Sequence, residues 1–233
     1  MKLAIMQPYF FPYIGYFQLI NSVDEFILYD NIEYTKKGWI NRNRILCEGK
    51  ERLITLPLKK NSDYSKVVER ELSESWGKDK NKILNVIKSS YNKSPYFLEA
   101  YDLVFQCLNN SENNLFKFIY NSIILINRYL DIKTQIIVSS SINIDHTLKS
   151  QDKVLSLCKA QNADVYINSI GGVELYNKAI FKQSGIELKF IKSNPIQYKQ
   201  FNNEFVPWLS IIDVLMFNSK DEIKKYINNY KLI

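Results

Sequence analysis

The apolar run Leu3-Ala4-Ile5-Met6 ends at Gln7-Pro8, and a turn rich in proline and aromatic residues carries the chain into a helical pattern whose first turn holds Gly15. No other stretch restricts the fold as strongly. A short buried strand that hands over directly to a helix opens a β-α-β unit, and the apolar run 25–29 supplies the returning strand. In an open α/β sheet this handover lies at the carboxyl edge of the strands. Ligands bind there, and the helix N-terminus offers backbone N–H groups to an anion.

The same logic extends along the chain. Strands are expected at 2–6, 25–29, 52–58, 67–72, 135–139, 164–168 and 186–191. Helices are expected at 13–20, 80–91, 95–108, 115–130, 150–161, 208–217 and 221–230. The polar segment 59–66 reads as a connection. Apolar stripes at helical spacing between 80 and 130 read as core packing rather than chemistry. Strands alternate with helices, so the expected architecture is α/β: a Rossmann-like, mainly parallel sheet flanked by helices, with a helical insert at about 76–131. A chain of 233 residues, 46% apolar, fits one such domain spanning 1–233.

Several residues stand out against that background. Lys is the default cation of this chain, and its arginines are confined to Arg42, Arg44, Arg52, Arg70 and Arg128. Two of them fall in Asn41-Arg42-Asn43-Arg44, directly after Gly38-Trp39. A guanidinium presents a planar fork suited to carboxylate or phosphate, which Lys does not imitate; the alternative is a solvated basic loop. A second strand-turn-helix unit ends in Gly171-Gly172, with Tyr176 shortly after, and reads either as a ligand turn or as a plain tight turn. Ser210 and Asp213 share a helical face. They read equally as a polar ligand pair or as a cap and a dipole-complementing acid.

The remaining composition mostly excludes. Cys47, Cys107 and Cys158 are odd in number and widely spaced, and His146 is the lone histidine, so no metal is expected. Cys107 and Cys158 fit buried apolar positions. No run approaches the ~20 apolar residues of a membrane span, and the N-terminus lacks a secretory pattern, so a cytoplasmic protein is expected. The formal charge of +7 favours anionic partners without choosing among nucleotides, nucleotide-sugars and nucleic acid.

Taken together, Gln7-Pro8-Tyr9, Pro12, Gly15-Tyr16-Phe17, Asp24, Asp30 and Gly38-Trp39 with Asn41-Arg42-Asn43-Arg44 resemble the WbqC-like proteins of bacteria. So do Tyr166 to Tyr176, Phe181, Gly185-Ile186, Tyr198-Lys199-Gln200 and Leu209-Ser210-Ile211-Ile212-Asp213. The family pattern often carries a histidine a few residues after the tryptophan of its middle segment. Here Trp76 is followed by Gly77-Lys78-Asp79-Lys80, so that histidine is not carried over.

The resemblance implies an enzyme of surface-polysaccharide (O-antigen) biosynthesis. Within that setting the favoured reaction is transfer of an acyl or aminoacyl group to the amino group of a nucleotide-linked amino sugar. Asp30 is the expected base, with Gln7 beside it. Arg42 and Arg44 are expected on phosphate or carboxylate, and Tyr9, Tyr16 and Trp39 stacked on base or sugar. Asn41 and Asn43 would orient polar groups, and Pro12, Gly15, Tyr34, Gly171, Gly172, Tyr176, Gln200, Ser210 and Asp213 complete the substrate surface. No cofactor is required by this reading beyond an acyl or aminoacyl donor, which includes aminoacyl-tRNA. The alternatives are a nucleotide-dependent activating or nucleotidyl-transfer enzyme using ATP and magnesium, and an RNA-binding module.

Overall fold

The computed structural model describes residues 1–233. Its centre is a six-stranded sheet in the order β5-β2-β1-β6-β7-β8. The strands are β1 (Lys2–Met6), β2 (Glu25–Leu28), β5 (Gln135–Val138), β6 (Val165–Ser169), β7 (Glu187–Ser193) and β8 (Tyr230–Leu232). All neighbours run parallel except β8, which is antiparallel to β7. The chain is therefore an α/β protein of Rossmann-like type.

Both faces of the sheet are covered, which is why its strands read as continuous apolar runs. Ala4, Phe26 and Leu28 pack into the larger core, with helix α1 (Ile14–Asn21). Leu3, Ile5 and Ile27 point the other way, against Val154, Leu155, Leu157 and Cys158 of α5 (Ser150–Ala160). The chain leaves β1 through α1 to β2 on one side, and later arrives through α5 at β6 on the other. The strand order thus reverses between β1 and β6, which opens a crevice at their carboxyl ends.

The helices α2 (Trp76–Tyr91), α3 (Phe97–Leu108) and α4 (Leu115–Tyr129) form the expected insert and extend the larger core, where Trp76 meets Phe118 edge-on at 5.3 Å. Cys107 and Cys158 are buried, and burial pushes both thiols up to about 12.

Several segments differ from expectation, among them the strand expected at 52–58, which runs from Lys50 to Thr55. Residues 42–47 are not a loop: β3 (Arg42–Cys47) pairs antiparallel with β4 (Lys50–Thr55) across a turn in which Glu48 and Gly49 both adopt positive φ, +52° and +74°. That geometry matches the right-handed twist of a hairpin. The polar Arg-Asn-Arg opening of β3 conceals a strand that buries Asn43, Ile45 and Leu46. Residues 67–72 are a 3-10 turn (Val67–Glu69) and isolated bridges rather than a strand. The helix expected from 208 begins at Ile211 (α7, Ile211–Phe217), because Trp208 is held at φ +62° and Ser210 caps the first turn by accepting from Ile212 N–H. The last helix, α8 (Lys220–Ile227), stops short of Tyr230 so that β8 can pair with β7, and a short α6 (Lys178–Gln183) follows the turn at 170–175.

Candidate functional site

The turn between β1 and α1 is built on buried anchors. Phe10 and Phe11 are fully buried, and Phe11 adopts φ +42°. Its irregular backbone cannot satisfy itself, so other elements do so. Asn43 Nδ2 donates to the carbonyls of Phe10 and Phe11 at 3.0 and 2.8 Å, and Ser210 Oγ donates to Phe11 at 2.7 Å. Phe10 N–H donates to Trp39 O, and Ile211 N–H to Pro12 O. Tyr16, buried, donates to Gln7 O at 2.8 Å. Asn43, Ser210 and Tyr16 therefore spend their polar groups on the turn itself.

The turn presents Gln7, Tyr9, Pro12 and Tyr13 to a groove along the carboxyl edge. Its first part lies at the β1/β6 crevice, a cavity of about 400 Å³ lined by Gln7, Tyr9, Tyr29, Asn168, Ser169, Gly171, Gly172 and Tyr176, among others. The Gln7 amide has no partner within the chain. Asn168 Oδ1 accepts from Ser169 N–H, and a Cβ at Gly172 would stand 2.8 Å from Asn168 Nδ2. Glycine at 172 thus leaves the amide room. Burial raises the pKa of Tyr29 and Tyr176, which keeps both phenols as neutral donors.

Tyr9 is shared with a second cavity of about 250 Å³, an aromatic box of Tyr9, Pro12, Tyr13, Trp39 and Trp208 with Asn43 and Arg44. Trp39 and Trp208 are 37% and 62% exposed, unusual for the largest apolar side chain. The Arg44 guanidinium lies 5.1 Å from the Trp39 ring centre and pairs with Glu51 at 2.6 Å, while its Nε has no partner. No carboxylate and no histidine lines either cavity.

Gly15 has a different purpose from the one expected. A Cβ there would lie 2.3 Å from the Tyr13 ring, so glycine admits a ring folded over the start of α1. The N–H groups of Ile14 and Gly15 have no acceptor within the chain.

The other expected site residues lie outside the groove. Asp30 is 1% exposed at the end of β2; its Oδ1 accepts from Ser139 Oγ at 2.7 Å and from Ser140 N–H at 2.9 Å, tying β2 to β5. It does not line either cavity of the groove. Asn41 is spent on Leu56 O and on the Tyr34 hydroxyl, and Arg70 lies over the Tyr34 ring. Arg42 donates to the carbonyls of Gly38 and Lys37. Asp213 is buried and accepts from Tyr91, Tyr198 and Gln200. Burial pushes its carboxyl up to about 6 against the pull of those three donors. These side chains hold the scaffold.

Next to Asp30 lies a polar cluster that sequence reading passes over. Asn31 Oδ1 accepts from Ser139 and from Lys153 Nζ, and its amide faces His146 Nδ1 at 2.9 Å. His146 Nε2 lies 3.0 Å from Ile142 O, which fits a neutral ring protonated at Nε2. Lys153, 5% exposed, lies 5.0 Å from the Tyr29 ring centre. Burial, then the Lys66 charge, lowers its pKa, with Asp30 pulling the other way.

Of the expected residues, the groove thus gathers Gln7, Tyr9, Pro12, Trp39, Asn43, Arg44, Gly171, Gly172 and Tyr176. It adds Tyr13, Tyr29, Asn168, Ser169 and Trp208. Asn168 was legible as the polar end of a buried strand. Trp208 was hidden by its assignment to a helix.

Fold and groove define a Rossmann-like α/β protein with an aromatic, Arg-bearing groove at the switch point of its sheet. The profile of the WbqC-like protein family matches residues 7–225, and the chain belongs to that family. A relative in Mycobacterium tuberculosis (strain ATCC 25618 / H37Rv), "Uncharacterized protein Rv1507c", is 28% identical over 230 residues, covering 97% of each chain. No solved structure matches the chain. No helix is long and apolar enough to cross a membrane.

Proposed function

We propose that the groove binds a nucleotide-linked amino sugar and that the protein transfers an acyl group to the sugar's amino group in the building of a bacterial surface polysaccharide. The observation that carries this reading is the pair of cavities joined at Tyr9. The nucleotide fits the switch-point cavity, where Gln7 and Asn168 offer amides and tyrosines offer faces. The sugar fits the aromatic box, where Trp39 and Trp208 supply the flat apolar surface that sugar rings stack on and Arg44 reads a polar substituent.

In this arrangement the sugar amine attacks the acyl carbonyl, the leaving group departs with the bonding pair, and the amine proton passes to solvent. Arg44 and Tyr13, which line the box, are the residues available to stabilise the transient oxyanion. With no acid-base side chain lining the cavities, positioning and electrostatic stabilisation carry the rate.

Calorimetric titration with UDP-, dTDP- and GDP-linked amino sugars tests the reading. Wild type binds at least one of them, and Trp39→Ala and Arg44→Ala each weaken it tenfold or more. Absence of binding, or unchanged affinity in both variants, refutes it. The switch-point cavity equally favours a nucleotide-activating enzyme; magnesium-dependent consumption of ATP would select that reading instead.

A further inference from the structure

A third cavity continues the groove at the end of β7. It measures about 280 Å³ and is walled by Tyr13, Ile196, Tyr198, Phe205, Trp208 and Val214. Tyr13 and Trp208 belong to this cleft and to the aromatic box alike, with ring centres 6.0 Å apart, so the two cavities meet at this pair. One of the two, Trp208, is held at φ +62°, a costly conformation for a bulky residue and one that persists only where its surroundings impose it.

The chemistry of the cleft follows from what its polar groups already do. Tyr198 donates to Asp213, Ser193 Oγ to Gln18, and Asn194 Nδ2 to Asn229. The side-chain groups left open are the Tyr13 hydroxyl, the Asn194 Oδ1 and the exposed Lys192 ammonium at the rim. Such a lining offers little to a nucleobase, whose edge needs donors and acceptors, and no carboxylate to an α-ammonium group.

We infer that the cleft takes the apolar chain of an acyl thioester of medium length, with Lys192 meeting an anionic carrier. The donor is therefore a fatty or aryl acyl group rather than an aminoacyl one. This rests on the acyl-transfer reading above: the thioester carbonyl would lie at the Tyr13–Trp208 wall, next to the sugar amine, and the thiolate leaves as the amide bond forms.

The test uses S-octanoyl-, S-acetyl- and S-alanyl-N-acetylcysteamine as probes on the full chain, read by calorimetry. Octanoyl thioester is expected to bind at least tenfold more tightly than the other two. Ile196→Trp, filling the cleft, abolishes that binding while the melting temperature and any nucleotide-sugar affinity stay unchanged. Phe205→Ala, enlarging the cleft, shifts the preference to a dodecanoyl probe. Equal affinity for the three thioesters, or octanoyl binding indifferent to Ile196→Trp and Phe205→Ala, overturns the inference. Octanoyl binding that is lost in Ile196→Trp, in a protein that binds no nucleotide-sugar, sustains the cleft and sinks only the acceptor reading.

Discussion

Tyr91→Phe removes one oxygen from the place where three elements meet. The hydroxyl, on α2 of the insert, accepts from Leu46 N–H of β3 at 2.7 Å and donates to Asp213 Oδ1 of α7 at 2.9 Å. Its loss leaves a buried N–H without an acceptor, at about 1–3 kcal/mol, and takes one of three donors from a buried carboxylate, at about 1.5–3 kcal/mol. The two together predict a loss of about 4 kcal/mol near pH 7.5.

The pH dependence of that loss has a definite sign. The Asp213 carboxyl sits at about 6 in the folded protein, above its ordinary value of 3.8, chiefly through burial. Its contribution to stability is therefore fullest below 3.8 and is lost as pH rises toward 6. The Tyr91 hydrogen bond lowers that pKa, so removing it raises the folded value further and extends the loss to higher pH. The deficit of the variant must widen as pH rises through 6, by about 1.4 kcal/mol for each unit of added shift. Urea unfolding of both proteins at pH 5 and pH 7.5 measures it. A deficit equal at the two pH values would refute the linkage, and a variant within about 0.5 kcal/mol of wild type at both would refute the network as a tie between elements.

Asn43→Ala should cost about 2–4 kcal/mol, because the carbonyls of Phe10 and Phe11 lose a buried donor, and thermal unfolding should show it. Arg42→Ala and Arg44→Ala should separate: the first releases the carbonyls of Lys37 and Gly38 and leaves nucleotide-sugar affinity within threefold, as a rough bound on an indirect effect, while the second weakens binding tenfold or more. Equal losses in calorimetry would return Arg42 to the ligand. Lys153→Met should remove a contribution to stability that grows as pH rises toward 10.5, since a lysine whose folded pKa is lowered gains stability as pH rises toward its unfolded value; parallel pH profiles of unfolding for the two proteins would refute this.

What the sequence made legible was period and punctuation. Leu3 to Met6 and Glu25 to Leu28 are buried on both faces and announce parallel strands, and Gln7-Pro8 marks where the first one stops. The hairpin stayed hidden because β3 opens with Arg42, Asn43 and Arg44, whose alternation is between half-buried and buried polar residues rather than between polar and apolar ones. The site was half legible for a related reason. Residue type reveals that Asn43, Asp30 and Asp213 need partners, but not whether those partners are a ligand or the chain itself. Here Phe10, Ser139 and Tyr198 supply them. Trp39 and Arg44 meet each other face to face and still line the groove.

The Tyr13 ring over Gly15 couples the size of one side chain to the shape of two cavities. A methyl group at position 15 cannot coexist with a ring atom 2.3 Å away. Gly15→Ala would therefore displace a ring that walls both the aromatic box and the apolar cleft beside Trp208, so the outline of both rests on one hydrogen in place of one methyl.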